Sequence, residues 1–193
     1  MCIRDRLYSG GYGSGKSVCL CWKLVIRATS PGAREGLCRK HFSSLRDSTL
    51  KTLIEGDGDM PPILPRGTYV HNKSEKTIKI LGGGSIQYFG LDDPDKKGSY
   101  NFSGCGVDEA AELEEDDYRM LRSRIRMTVN GMTNQLYAGT NPKHPMHHLA
   151  IRFGFDGGQG TPGCRGITAT SAENTYLPPE YLADLGTFVG VAR

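Results

Sequence analysis

Eight consecutive residues near the start of the chain match the phosphate-binding loop known as the Walker A motif. They are Gly10, Gly11, Tyr12, Gly13, Ser14, Gly15, Lys16 and Ser17. Glycines let the backbone fold around a polyphosphate, so that successive N–H groups point at its oxygens. The lysine then reaches the β- and γ-phosphates, and the serine hydroxyl is placed to bind Mg²⁺. We therefore predict a nucleoside triphosphate site here, at the start of a helix whose dipole favours the anion.

A second motif lies about ninety residues further on, where a small-residue strand ends in Asp108 and Glu109. In phosphoryl transfer, one carboxylate binds Mg²⁺ and a neighbouring one orients and deprotonates the attacking water. An Asp-Glu pair alone is common in solvated turns, but its place after a buried strand downstream of a phosphate-binding loop is typical of a Walker B motif. We predict that Ser17 and Asp108 bind the metal and that Glu109 is the catalytic base, with Lys16 and Asp108 also catalytic.

A third polar segment follows the strand at residues 135–138, where Thr140 and Asn141 are found. Either residue could hydrogen-bond the γ-phosphate or the attacking water, although an ordinary turn uses the same residue types. Ligands bind at the carboxyl ends of strands in open α/β sheets, so we expect all three segments to share one sheet edge. The alternation of strands and helices predicts a P-loop α/β fold, with a mostly parallel sheet covered by helices on both faces.

The remaining pattern gives helices at residues 18–28, 43–55 and 112–127 and a strand at 36–40. Alternating apolar residues on both sides of Gly82, Gly83 and Gly84 predict a β-hairpin insertion. Only Ile3, Leu7 and Tyr8 supply apolar character before the loop. We therefore expect the first strand to be incomplete and the amino end to be missing or replaced.

Composition limits the function classes without selecting one. The 193 residues suit a single ordinary domain, and 24 basic against 21 acidic residues neither demand nor exclude nucleic acid. No apolar run is long enough for a membrane span, and no secretory signal is visible. Six cysteines lack Cys-x-x-Cys spacing, which favours free thiols over a zinc site.

Charged residues outside the motifs have two interpretations. The helix at residues 112–127 is acidic at its start and arginine-rich at its end, which complements the helix dipole. The functional alternative is that Arg122, Arg124 or Arg126 faces phosphate, either of ATP on a neighbouring subunit or of DNA. A further set could contact DNA, although a solvated surface is the simpler interpretation: Arg39, Lys40, Arg46, Lys96 and Lys97.

Taken in order, these segments resemble the large terminase subunit of tailed bacteriophages. The resemblance extends from the loop through Arg39-Lys40 and residues 44–48, the hairpin and the turn at residues 90–99, Val107-Asp108-Glu109-Ala110 and Gly139-Thr140-Asn141-Pro142. It continues through residues 147–153 and 174–181.

The resemblance implies an ATP- and Mg²⁺-dependent motor domain that translocates double-stranded DNA into the capsid. It implies a homo-oligomeric ring, portal and small terminase subunit partners, no membrane, and a location in the cytoplasm of the infected bacterial host. Residues 1–150 are then the ATPase domain, and residues 151–193 are its end and a linker toward an absent nuclease domain. Nuclease activity is not expected in this fragment.

One departure and three rival functions remain open. Members of the family often carry an arginine where this chain has Tyr12, so the charge is expected from a neighbouring subunit's arginine or from Arg122, Arg124 or Arg126. A helicase-like ATPase and a small-molecule kinase also use phosphate-binding loops. A nucleotide-dependent docking module without turnover is the non-enzymatic alternative.

Overall fold

The computed structural model of the chain describes residues 4–58, 60–92, 100–141 and 143–187. Within these ranges, the strands are β1 (Asp5–Gly10), β2 (Arg34–Arg39), β3 (Tyr69–Asn72), β4 (Thr77–Ile80), β5 (Ser85–Gly90), β6 (Gly104–Val107), β7 (Gln135–Thr140) and β8 (Cys164–Ala169). The α-helices are α1 (Lys16–Ala28), α2 (Phe42–Asp47), α3 (Thr49–Ile54), α4 (Glu115–Arg124), α5 (His148–Phe153) and α6 (Pro179–Thr187). None of these helices is long and apolar enough to cross a membrane.

The described strands form one sheet in the order β3-β4-β5-β2-β6-β7-β1-β8. In that order the six strands from β5 to β8 run parallel to one another, and β4 pairs antiparallel with both β5 and β3. The predicted hairpin around Gly82, Gly83 and Gly84 is formed by β4 and β5. The carboxyl ends of β1, β2, β6, β7 and β8 therefore lie along a single edge. This topology confirms the predicted P-loop α/β fold with its mostly parallel sheet and β-hairpin insertion.

Side chains alternate along the strands and supply two apolar clusters, one on each face of the sheet. Leu37 of β2 and Tyr137 of β7 belong to the cluster that includes α1 and α3, whereas Cys38 and Ala138 belong to the cluster that includes α4 and α5. Successive strand residues point to opposite faces, and β2, β5 and β7 each contribute to both clusters. Helices thus cover both faces, as predicted.

Several element boundaries differ from those predicted. The helix expected at residues 43–55 is two helices, because Ser48 leaves the helical region at φ −125° and ψ −86°. The helix expected at 112–127 is shorter, since Ala110–Glu112 forms a separate 3₁₀ turn before α4. Strands β3 and β8 were not predicted. Residues 93–99 of the predicted turn at residues 90–99, with Lys96 and Lys97, lie outside the described residues, as do Ile3 and Pro142.

Strand β1 pairs in parallel with β7 on one side and β8 on the other, so it is an interior strand despite its charged residues. Asp5, at its amino end, is fully buried and accepts a hydrogen bond from the Tyr118 hydroxyl at 2.9 Å. Arg122 lies 3.0 Å from the same carboxylate. Burial raises the pKa of the Asp5 carboxyl, and Arg122 acts in the opposite direction.

The Asp5 contact corrects one functional hypothesis about the arginines of α4. Arg122 lies at the amino end of β1, whereas the phosphate-binding loop follows the carboxyl end of that strand. The hypothesis that Arg122 faces phosphate bound in the loop of its own chain is therefore wrong. The residue instead neutralises a buried carboxylate.

A second buried carboxylate, Glu35 of β2, ties α1 to the sheet. Its oxygens accept from Arg27 Nε at 2.8 Å, the Tyr137 hydroxyl at 2.9 Å and the Ser103 hydroxyl at 2.7 Å. Arg27 also donates to the Ser103 carbonyl oxygen at 3.1 Å. A buried charge is tolerated only when it is paired and hydrogen-bonded, and this network meets that condition.

We expect Glu35→Ala to lower the free energy of unfolding by about 3–5 kcal/mol, because it leaves Arg27 and the Tyr137 hydroxyl without their buried partner. Urea denaturation followed by circular dichroism measures the change. Glu75→Ala, at an exposed position, is the matched control and should shift stability by less than about 0.5 kcal/mol. Equal stability of the two variants would contradict the role given to the network.

Candidate functional site

The predicted site segments meet at the edge formed by the carboxyl ends of the parallel strands. The phosphate-binding loop follows β1, Asp108 and Glu109 follow β6, and Asn141 follows β7. Strand β7 lies between β6 and β1 in the sheet. The loop and the acidic pair therefore flank the end of β7, which carries Thr140.

The loop has the backbone conformation that its glycines allow. Gly13 and Gly15 adopt φ values of 73° and 81°, in the left-handed region that favours glycine. Gly15 is the N-cap of α1, and no side chain in the described ranges caps that helix. The first amide groups of α1 are thus available to an anion.

Three donors of the loop converge on the carbonyl oxygen of Gly11. They are the Ser14 amide at 3.3 Å, the Ser14 hydroxyl at 2.9 Å and Lys16 Nζ at 2.7 Å. These are groups of the kind that bind phosphate oxygens. Lys16 is only 8% exposed, and burial lowers its pKa while Glu109 and Asp108 oppose that shift.

The loop and the acidic strand end make direct contact through Ser17. Its hydroxyl lies 3.1 Å from both carboxylate oxygens of Asp108, which is buried. A third residue, Thr49 at the start of α3, donates its hydroxyl to Asp108 Oδ2 and is itself fully buried. Asp108 is thus held between two hydroxyl groups from different helices.

The oxygens of Ser17 and Asp108 fit a magnesium ion. Mg²⁺ prefers hard oxygen ligands, and in nucleotide sites it is usually held by one or two protein groups together with phosphate and water oxygens. Across the described residues, no group of three or more His, Cys, Asp and Glu side chains could hold a metal. The hydroxyl–carboxylate pair therefore suits an ion that arrives with phosphate.

Glu109 has an unusual backbone for a glutamate, with φ 47° and ψ 49° in the left-handed region. Such conformations cost about 1–3 kcal/mol for residues other than glycine, and they cluster at functional sites. The side chain is half-buried. Burial raises the pKa of its carboxyl, Asp108 raises it further, and Lys16 and Arg39 lower it.

Of the basic residues predicted to contact DNA, the three that the structure describes, Arg39, Lys40 and Arg46, are paired with acidic side chains. Arg39 donates to both carboxylate oxygens of Glu112, at 3.2 and 2.9 Å, which raises the pKa of its guanidinium. Lys40 lies 2.6 Å from an Asp117 oxygen. Arg46 pairs with its neighbour Asp47. Their contact with DNA stays a prediction that requires these pairs to open.

Thr140 connects the end of β7 to the turn that carries Glu109. Its hydroxyl accepts from the Ala111 amide at 3.1 Å and donates to the Asn141 carbonyl oxygen at 3.1 Å. Asn141 Oδ1 is buried and has no hydrogen-bond partner among the described residues. Thr140 therefore holds the acidic turn, and Asn141 retains an uncommitted polar group.

A cavity of about 840 Å³ lies on the β8 side of the phosphate-binding loop. Its walls include Gly10, Tyr12, Thr140, Asn141, His147, Phe155, Ser171 and Leu182. Lys16, Ser17, Asp108 and Glu109 do not line it. The cavity therefore lies beside the predicted chemistry and does not enclose it.

Two contacts of the site were absent from the sequence-based prediction. Thr49 was assigned only to a helix, and Glu112 only to an acidic helix start. No spacing rule joins Thr49 to Asp108 across 59 residues, so the contact emerges only when α3 packs beside α1. Glu112 could have been noticed as a carboxylate one 3₁₀ turn after Glu109.

Comparison with known proteins gives one family. A family model described as "Phage terminase large subunit" matches residues 4–187. The PBSX phage terminase large subunit of Bacillus subtilis (strain 168) is 27% identical over 121 residues, which is 61% of this chain and 27% of that protein.

Solved structures agree in fold. The large terminase of a thermophilic bacteriophage superposes with a TM-score of 0.74 at 18% identity, covering 98% of this chain and 46% of the other. The complex of that thermophilic phage protein with ATP-γ-S gives 0.72 at 19% identity, covering 97% and 45%. The chain thus spans about a quarter of the curated relative and less than half of the thermophilic phage terminase.

We expect the Glu109 carboxyl to titrate above the ordinary range for glutamate, with shifts of opposite sign in two variants. Asp108→Asn removes a nearby negative charge and lowers the pKa of Glu109, whereas Lys16→Met removes a positive charge and raises it. Carboxyl ¹³C chemical shifts followed against pH measure both. Shifts of the same sign would contradict the electrostatic arrangement described above.

Proposed function

Since the chain belongs to the phage terminase large subunit family, we propose that it is the ATP-hydrolysing motor domain of a DNA-packaging terminase. The observation that carries the proposal is the meeting of Lys16, Ser17, Asp108 and Glu109 at one sheet edge. The thermophilic phage terminase of the same fold was solved in complex with ATP-γ-S. The domain acts in the cytoplasm of the infected host.

Binding of ATP depends on the loop. The amides of residues 10–17 and Lys16 Nζ hold the β- and γ-phosphates, exchanging their present acceptor, the Gly11 carbonyl oxygen, for phosphate oxygens. Ser17 and Asp108 hold Mg²⁺, which neutralises phosphate charge when bound. Lys16 is almost completely buried, so its attraction to phosphate is only weakly screened by solvent.

Hydrolysis depends on Glu109. Its carboxylate orients a water molecule for attack on the γ-phosphorus and accepts the proton that the water loses, while the bond from the γ-phosphorus to the bridging oxygen breaks and ADP leaves. The raised pKa brings this base closer to neutral pH, where proton transfer is more effective. Because the base must be ionised, hydrolysis falls as the pH drops through the raised pKa of Glu109.

Coupling to movement is assigned to the end of β7. Thr140 holds the Ala111 amide two residues after Glu109, so a shift of the acidic turn is passed directly to β7. Asn141 Oδ1 is the uncommitted group there, and Asn141 lines the cavity shared with α5 and α6. A movement caused by loss of the γ-phosphate is thereby transmitted to α5 and α6.

The partners follow from the same reading. The motor grips double-stranded DNA through its phosphate backbone, as a machine that packages any sequence requires. Tyr12 occupies a loop position at which an arginine would help to neutralise the γ-phosphate. In this chain that positive charge is supplied by an arginine from a neighbouring subunit of a homo-oligomeric ring. The portal and the small terminase subunit are the proposed protein partners.

We expect Glu109→Gln to reduce ATP hydrolysis by about 10²–10⁴-fold while largely sparing ATP binding, because only the base is lost. Phosphate release and ATP-γ-S titration measure the two quantities. Glu115→Gln, at the partly exposed start of α4, is the matched control and should retain activity. Unchanged turnover in Glu109→Gln would remove that residue from its role.

The same assay separates motor from rival functions. DNA-stimulated release of inorganic phosphate supports the motor, whereas transfer of phosphate to a small acceptor would support a kinase. Nucleotide-dependent partner binding without any turnover would support a docking module.

We expect Thr49→Val to weaken Mg²⁺-dependent ATP-γ-S binding by about tenfold, since Asp108 loses a buried hydrogen bond to its charged oxygen. Thr49→Ser keeps the hydroxyl and should bind as the unaltered chain does. Titrations with Mg²⁺ and with EDTA isolate the metal-dependent part. A loss of affinity that is equal in both solutions would contradict a role through the metal.

A further inference from the structure

The segment that follows β8 lies against the outer side of the phosphate-binding loop. The Ser171 hydroxyl donates to the carbonyl oxygen of Tyr12 at 2.5 Å, and Asn174 Nδ2 donates to the carbonyl oxygen of Gly13 at 2.6 Å. Both acceptors are main-chain groups inside the Walker A octet. About 160 residues separate each donor from its acceptor, so only the tertiary fold brings them together.

These bonds fix the orientation of two loop amides. In a planar trans peptide the C=O and the following N–H point in opposite directions. Holding the Tyr12 carbonyl outward therefore turns the Gly13 N–H inward, and holding the Gly13 carbonyl outward does the same for Ser14. Inward N–H groups are what the loop offers to phosphate.

The two donors are themselves held in place by local hydrogen bonds. Ser171 begins a 3₁₀ turn whose capping box joins Thr170 and Glu173. Asn174 Oδ1 accepts from the Tyr176 amide at 3.1 Å, which directs the amide nitrogen of the same side chain toward Gly13. The two donors are therefore preorganised, and little side-chain conformational entropy is lost when they bond to the loop.

Close packing reinforces the hydrogen bonds. A Cβ atom at Gly13 would lie 2.9 Å from Leu177 Cδ1 and 3.2 Å from the Tyr181 ring, and one at Gly11 would lie 2.9 Å from Ser171 Oγ. Tyr181 belongs to α6. The loop therefore contacts α6 directly, and a shift of the loop displaces that helix.

We infer that Ser171 and Asn174 are positioning residues that clasp the phosphate-binding loop by its outward carbonyls and link triphosphate binding to the placement of α6. The inference rests on the proposed function of the loop. It adds the contacts through which nucleotide binding at the loop affects α6, at the end of the described residues. The effect is reciprocal, because the two equilibria are thermodynamically linked. A ligand that orders the loop also orders α6, and loss of the hydrogen bonds from Ser171 and Asn174, here called the clasp, lowers the affinity for the ligand.

The test uses Asn174→Asp, which keeps the volume and the acceptor for the Tyr176 amide but places an oxygen against the Gly13 carbonyl. Ser171→Ala is the milder second variant. Asn72→Asp is the matched control, because Asn72 Oδ1 accepts from the Glu75 amide at 3.1 Å on the distant hairpin and that bond survives the change. All variants are compared by amide hydrogen exchange with and without Mg²⁺ and ATP-γ-S.

Without nucleotide, Asn174→Asp should exchange faster at residues 11–15 than the unaltered chain, and Asn72→Asp should not. With nucleotide, the unaltered chain should gain protection at residues 171–187, and this gain should disappear in Asn174→Asp. The affinity for ATP-γ-S should fall by about tenfold, the effect of one lost hydrogen bond. Ser171→Ala should show the same changes to a smaller extent.

Unchanged exchange at residues 11–15 in both Asn174→Asp and Ser171→Ala would overturn the clasp, whether or not nucleotide binds. Loss of affinity with the nucleotide-dependent protection of residues 171–187 intact would also overturn it. Failure of the unaltered chain to bind ATP-γ-S would instead count against the proposed function. The nucleotide-free comparison therefore keeps the two failures distinguishable.

Discussion

The contact between Ser17 and Asp108 is the constraint on which the site depends. It joins residues 91 positions apart, with both carboxylate oxygens 3.1 Å from one hydroxyl. The contact requires β6, β7 and β1 to be neighbours and to run in the same direction, so that their carboxyl ends lie at one edge. A different strand order would leave the same motifs intact in sequence and separate in space.

Charge is distributed between the two edges of the sheet, and the apolar clusters lie between them. At the amino edge, Asp5 and Glu35 are fully buried and neutralised by Arg122 and Arg27. Both pairs join residues of the chain itself and serve its packing. At the carboxyl edge, Glu109 is only half-buried and its pKa is raised, because burial and Asp108 outweigh the nearby positive charges. The second edge is therefore the one equipped for chemistry.

Sequence alone predicted the parts of the fold that local chemistry determines. The loop glycines, the helix after Lys16 and the hairpin around Gly83 each follow from a short pattern, and so does the placement of Asp108 at a strand end. The break at Ser48 was missed although its hydroxyl makes a local bond to the Ser44 carbonyl oxygen, because the second bond of that hydroxyl, from Arg39 of β2, depends on the tertiary fold. Strand β8 was missed because residues 164–169 lack the apolar alternation that marks a strand, and the segment is ordered by its parallel partner β1 along six residue pairs. The same limit applies to Ser171 and Asn174, whose partners are backbone carbonyls that no side-chain pattern reveals.

The convergence of loop donors on the Gly11 carbonyl oxygen means that the loop satisfies its own donors. A nearly buried ammonium group without an acceptor would be costly, and here the loop supplies that acceptor from its own backbone. An incoming anion must therefore outcompete an internal oxygen, which a multiply charged phosphate chain does far better than a singly charged ion. The hydrogen bonds to Gly11 also hold the turn of the loop by groups of the chain itself, so the shape of the pocket is fixed by the same residues that offer donors to an anion.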